Sequence, residues 1–142
     1  MPTDKKNCQA VNIKILLMDD EEEYVNVLSN RLGKRNMMVT KSFSGSEALQ
    51  TLRNHDFDVA VLDLKMEDMD GIEVLKIFKK IVPKMPVIML TGHGSEQAAK
   101  EAIEFGAFDY LTKPCELNEL VEKIKKATHQ ETQRDVKKED PT

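Results

Sequence analysis

The chain has 142 residues with 25 Asp+Glu against 21 Lys+Arg, a formal net charge of −4. That length points to one domain with one core, large enough to fold without disulfide or metal staples. At 40% hydrophobic and 32% charged residues the composition excludes an intrinsically disordered chain, and the acidic balance argues against direct nucleic-acid binding, which needs a basic surface. No apolar run approaches the ~18 residues of a spanning helix, and the polar start Met1-Pro-Thr-Asp-Lys-Lys6 lacks the hydrophobic segment of a signal peptide, so a cytoplasmic protein without membrane insertion is expected. Cys8 and Cys115 have neither C-x-x-C nor zinc spacing and read as plain thiols of a reducing compartment.

In chain order, apolar runs that read as strands are Ile13–Met18, Met37–Thr40, Val59–Leu62, Val87–Leu90 and the short Tyr110-Leu111. Three are apolar at nearly every position, as strands covered on both faces must be, which is the habit of a parallel sheet between helices. Between and after them lie helical faces: Tyr24, Val27, Leu28 and Leu32; Ala48, Leu49 and Leu52; Val74, Leu75, Phe78 and Ile81; a weak Ala-containing stripe from Ser95 to Phe105; and Leu117, Leu120, Val121 and Ile124. Gly33 and Gly106 are placed to close helices, Gly45 and Gly71 stand where helices begin, and Pro83 and Pro86 bracket the loop before the fourth strand. Fivefold β-α alternation implies right-handed crossovers and a doubly wound α/β sheet. The domain is assigned to residues 12–127, preceded by a polar lead-in (1–11) and followed by a charged tail (128–142) that extends the last helix before fraying.

In such sheets ligands bind beyond the carboxyl ends of the strands. Asp19 and Asp20, with Glu21 to Glu23 after them, follow the first strand; Asp63 ends the third; Thr91-Gly92 ends the fourth; Lys113-Pro114 follows the fifth. Carboxylates converging on one crevice repel one another, and a hard divalent cation relieves that repulsion. Mg²⁺, which keeps several waters and shares phosphate oxygens, suits Asp20, Asp63 and a backbone carbonyl; Mn²⁺ is its natural substitute. With the Thr91 hydroxyl and the Lys113 ammonium added, the set fits phosphoryl transfer with Asp63 as nucleophile. Each residue taken alone has a structural reading too, since acids after a strand also cap helices, and for Glu21 to Glu23 that reading is preferred.

The segments Leu17-Met-Asp-Asp-Glu21, Val61-Leu-Asp-Leu-Lys-Met66 with Met69-Asp-Gly71, Met89-Leu-Thr-Gly92 and Gly106-Ala-Phe-Asp-Tyr-Leu-Thr-Lys-Pro114 together resemble the response-regulator receiver domain of two-component signalling. The resemblance implies a flavodoxin-like fold with strand order 2-1-3-4-5. It implies that Asp63 accepts phosphate from a histidine kinase, and that Asp20, Asp63 and the Lys65 carbonyl bind Mg²⁺ while Asp19 acts through a metal-bound water. Thr91 and Lys113 would bind the phosphoryl group, and Tyr110 would turn inward in concert with Thr91. Lys65 and His93 would modulate hydrolysis, His93 with a solvated loop histidine as the equal alternative. The Lys113-Pro114 bond is expected to be cis, and the readout surface to be the fourth helix, fifth strand and fifth helix. Glu67 departs from the pattern, standing where the family usually has proline.

The expected role is that of a phosphoacceptor, assisting its own phosphorylation and dephosphorylation, and not an enzyme acting on others. Only 16 residues follow Lys126, short of the ~50 an output domain needs, so a stand-alone, chemotaxis-regulator-like protein is expected, a monomer or weak phosphorylation-dependent dimer. Its partner beyond the kinase is then a target protein or, in a relay, a histidine phosphotransfer protein. An aspartyl phosphatase of the haloacid-dehalogenase kind is the enzyme alternative, but its second Asp, two residues after the nucleophile, is replaced here by Lys65. The loop 66–71 lacks the acids of a calcium-binding EF-hand at Met66 and Ile77, and no G-x-G-x-x-G or Walker A pattern follows the first strand. His55 and His129 read as solvated.

Overall fold

The computed structural model describes residues 12–92 and 96–139, the side chains of 129–139 excepted. Five strands, β1 (Ile13–Met18), β2 (Met37–Ser42), β3 (Val59–Asp63), β4 (Val87–Thr91) and β5 (Asp109–Thr112), alternate with helices α1 (Glu22–Gly33), α2 (Gly45–Asn54), α3 (Gly71–Ile81), α4 (Glu96–Glu104) and α5 (Leu117–Glu139). All strand pairs are parallel, in the order β2-β1-β3-β4-β5. This is the expected flavodoxin-like arrangement.

Central strands β3 and β4 are buried at every residue, because helices cover both faces of the sheet. Strand side chains alternate between two cores. Leu16, Met18, Leu62 and Met89 pack with α2, α3 and α4 residues such as Leu52, Leu75, Phe78 and Ala102. Ile15, Leu17, Val61 and Leu90 pack with α1 and α5 through Leu28, Leu32, Leu120 and Ile124. The apolar faces of the helices therefore lie mostly where the periodicity puts them, with two corrections. On α1 it is Val25, with Leu28 and Leu32, that is buried, while Val27 is 49% exposed; the stripe Val25-Leu28-Leu32 follows i, i+3, i+7 and leaves Val27 off its axis. On α3 Ile81 is exposed, being the last helical residue. Edge strands β2 and β5 each run beyond their apolar residues, β2 through Lys41 and Ser42 and β5 from Asp109 to Thr112. Backbone pairing with β1 and β4 holds these polar ends in the ladder.

Helix ends follow their side chains. Ser44 accepts a hydrogen bond from the Glu47 N–H while Glu47 reaches back to the Phe43 N–H, a variant of the capping box. Asp70 caps α3 by accepting from the Ile72 N–H. Gly106, at φ +110°, ends α4 in the left-handed conformation that glycine adopts without strain. Gly33 does not play this part for α1: it is the last helical residue, and the left-handed position is Asn36 at φ 64°. Ser95, expected to begin the fourth helix, lies outside the described residues, as do positions 1–11 and 140–142 of the two flanking segments.

Gly71 has the most demanding position. Its N–H donates to the Leu64 carbonyl at 2.9 Å, and a Cβ there would collide with the carbonyl oxygens of both Asp63 and Leu64. Backbone on that side cannot give way as a flexible side chain could. Gly71→Ala is expected to lower stability by about 1–3 kcal/mol through overpacking, read as a reduced urea midpoint with an unchanged m-value.

Candidate functional site

Register brings the polar residues together. Met18 pairs with Leu62, and Leu62 with Met89, so Asp19 and Asp63, each one step further along, leave the sheet at the same level. Thr91 pairs with Thr112, which puts Lys113 just beyond the β4 and β5 ends. Carboxylate oxygens of Asp19, Asp20 and Asp63 lie within 4.8 Å of one another and could hold a metal ion. Asp19 and Asp63 are buried and Asp20 is half-buried.

One cation organises these acids. The Lys113 ammonium donates to Asp19 Oδ2 at 2.9 Å and to Glu21 Oε1 at 3.0 Å, and stands 3.8 Å from Asp63 Oδ1. Burial works against its charge, but the hydrogen bonds to Asp19 and Glu21 outweigh that effect and hold its pKa well above the usual lysine value. The ammonium also lies 5.0 Å from the centroid of the Tyr24 ring, within cation–π range. Glu21 thus does more than complement the α1 dipole, the role preferred for Glu21 to Glu23. It occupies the N-cap position of α1 without a side-chain capping bond and lends its carboxylate to the site, whereas Glu22 and Glu23 do sit in the first turn. Adjacency to Asp19-Asp20 was the one signal for Glu21; Tyr24 had only its helical spacing and was read as a core residue.

Asp63 is the perturbed member. Burial first, then the neighbouring Asp19 charge, push its pKa from 3.8 up to about 6, against the pull of Lys113 and of the Lys65 N–H that it accepts. Thr91, 1% exposed, donates its hydroxyl to the Leu111 carbonyl at 3.4 Å, a long bond that a better acceptor could displace. Tyr110 is half-buried against the core on the α2, α3 and α4 side of the sheet. Lys65 is exposed. His93, the expected modulator of hydrolysis, lies outside the described residues. His55 is exposed, and the His129 side chain is not among those described. The Lys113-Pro114 bond is cis. Cys115 is half-buried with its thiol 3.7 Å from the Tyr24 hydroxyl; burial raises both pKa values, so neither is poised as a nucleophile at neutral pH.

Comparisons with known proteins agree with this geometry. The response regulator receiver domain family matches residues 15–125, and the chain belongs to that family. It is 37% identical over 116 residues to the transcriptional regulatory protein ZraR of Escherichia coli (strain K12), a match covering 82% of this chain and 26% of that protein. The figures are the same for the transcriptional regulatory protein GlrR of that strain. The chain therefore spans about a quarter of the length of these curated relatives. Among solved structures, a response regulator receiver domain protein from Clostridium thermocellum superposes with a TM-score of 0.80 at 35% identity, covering 84% of this chain and 97% of that one. NtrX from Brucella abortus gives 0.84 at 27%, covering 89% and 29%. Among the described residues no helix is long and apolar enough to cross a membrane.

The raised Asp63 pKa sets a pH dependence. Between 3.8 and about 6 the folded chain retains a proton that the unfolded chain has released, so stability falls as pH rises through that window. In metal-free buffer at pH 8, Asp63→Asn is expected to be more stable than the wild type, by on the order of 2 kcal/mol. Near pH 4 the gap should close. Urea titrations at the two pH values measure it, and equal midpoints at pH 8 would refute the cost of holding Asp63 charged in this buried site.

Proposed function

We propose that this chain is the phosphoryl-accepting module of a response regulator, taking phosphate onto Asp63 from the phosphohistidine of a histidine kinase in a Mg²⁺-dependent step. The observation that carries this reading is the buried, charge-crowded Asp63 at the β3 end, facing Lys113 at 3.8 Å. An Asp63 oxygen attacks phosphorus, the P–N bond to the kinase imidazole breaks, and the imidazole leaves with the bonding electron pair and takes up a proton. The donor set is hard oxygen, as Mg²⁺ prefers: Asp20, Asp63 and the Lys65 carbonyl would hold it, with Asp19 acting through water. Bound there, the ion would neutralise charge on the phosphoryl oxygens. Lys113 supplies a fixed positive charge on the other side, and Thr91 exchanges the Leu111 carbonyl for a phosphoryl oxygen.

The product adds charge and acceptor oxygens at the strand ends, which biases the surface of α4, β5 and α5 between two arrangements. Loss of the Thr91–Leu111 bond links the two events, because Leu111 belongs to β5, and Tyr110 beside it would turn inward. The chain acts as a phosphoacceptor in a cytoplasmic pathway, and not as an enzyme on other substrates. Relatives named as transcriptional regulatory proteins support control of transcription as the output of the whole regulator. A stand-alone regulator or a relay to a histidine phosphotransfer protein would use the same acceptor chemistry.

Incubation with acetyl phosphate and Mg²⁺ is expected to add one acid-labile phosphoryl group, seen by intact-mass spectrometry, and Asp63→Asn to abolish it. An unmodified wild type would sink the proposal. Chelation of the metal should stop phosphorylation while leaving the circular dichroism spectrum unchanged, since the acids lie at strand ends outside both apolar cores.

A further inference from the structure

Two adjacent residues, Glu67 and Asp68, tie the loop between β3 and α3 to its surroundings through four hydrogen bonds. Asp68 accepts from the N–H groups of Gly45 and Ser46 at 2.9 and 3.1 Å and from the Ser46 hydroxyl at 3.2 Å, at the start of α2. These bonds, that from Gly45 foremost, lower the Asp68 pKa. On the other side, the Glu67 main-chain N–H donates to Asp20 Oδ2 at 3.2 Å. Glu67 itself is exposed. Proline, which the family resemblance leads one to expect at this position, has no N–H to give. This chain therefore has a hydrogen bond onto one acid of the carboxylate cluster that depends on position 67 not being proline.

A main-chain donor held in a tethered loop is well suited to orient a carboxylate. It bonds Oδ2 of Asp20, with no bond to Oδ1 from another described residue, and the Asp68 contacts to α2 limit how far the donor can follow the acid. We propose that Glu67 is a positioning residue for the metal site, acting through its N–H and not its carboxylate, by fixing the Asp20 side chain for a divalent cation. This rests on the functional reading above, in which Asp20 is a Mg²⁺ ligand. Partners of this kind behind a metal ligand typically set 10–100-fold in affinity, and a 3.2 Å bond belongs at the lower end.

The experiment is Mg²⁺ titration by calorimetry on the full chain, with Glu67→Gln, which keeps the N–H and removes the charge, and Glu67→Pro, which removes both. Glu67→Pro is expected to weaken Mg²⁺ binding about 10-fold and Glu67→Gln by less than about 3-fold, given the weakness of exposed charge interactions. An amide-to-ester exchange at residue 67 deletes the donor without a proline ring, and it decides the matter if Glu67→Pro fails to fold. In an Asp20→Ala background, removing the donor should leave the residual affinity unchanged. Equal losses in Glu67→Gln and the donor-deleted variants, or wild-type affinity in the latter, overturn the proposal while leaving the functional reading intact. A wild type that binds no Mg²⁺ overturns both.

Discussion

Everything at the carboxyl edge of this sheet answers to one electrostatic constraint: buried Asp19 and Asp63 and half-buried Asp20 lie within 4.8 Å of one another. A site of that kind is unfavourable without a compensating cation. Lys113 supplies one positive charge and divides it among Asp19, Glu21 and, more distantly, Asp63. The raised pKa of Asp63 reflects its burial first and, after that, the Asp19 charge that Lys113 does not cancel. The domain tolerates this because its stability comes from elsewhere, from two apolar layers that sandwich the sheet.

That separation explains why the fold was readable without structural information. Strands buried on both faces are written as unbroken apolar runs, and Val59–Leu62 and Val87–Leu90 announce themselves. Helical spacing located the stripes of α2 and α5 closely. It failed for Val27, where one apolar residue off the stripe could not be told from Val25 by composition, and at the edges of β2 and β5, where backbone pairing carries polar residues that periodicity discards. The site residues were legible for a related reason: in a parallel sheet every strand ends on the same side, so acids and lysine far apart in sequence could be assigned to one crevice.

Three features lay beyond that reasoning. Glu21 reads in sequence as a dipole partner of α1, with adjacency to Asp19-Asp20 as its one other signal; the approach of Lys113 across the sheet reveals its second role. Asp68 bonds to residues more than twenty positions earlier in the chain, and no local pattern signals a cap donated from so far away. The Glu67 contact is made by the main chain, which a reading of side chains does not address. What was missed is in each case an interaction specified by tertiary approach and not by residue type.

The closed geometry at Gly71 has a bearing on how this loop can vary. With the Gly71 N–H bonded to the Leu64 carbonyl, both ends of the segment between them are pinned beside the end of β3, so residues 65–70 form a loop on a fixed base. Substitutions inside such a loop alter the chemistry presented to the carboxylates while the strand and helix stay where they are. The same base makes loop length a different matter: an insertion or deletion there cannot be absorbed by sliding α3, because its first residue already touches backbone. The segment is thus free in composition and constrained in size.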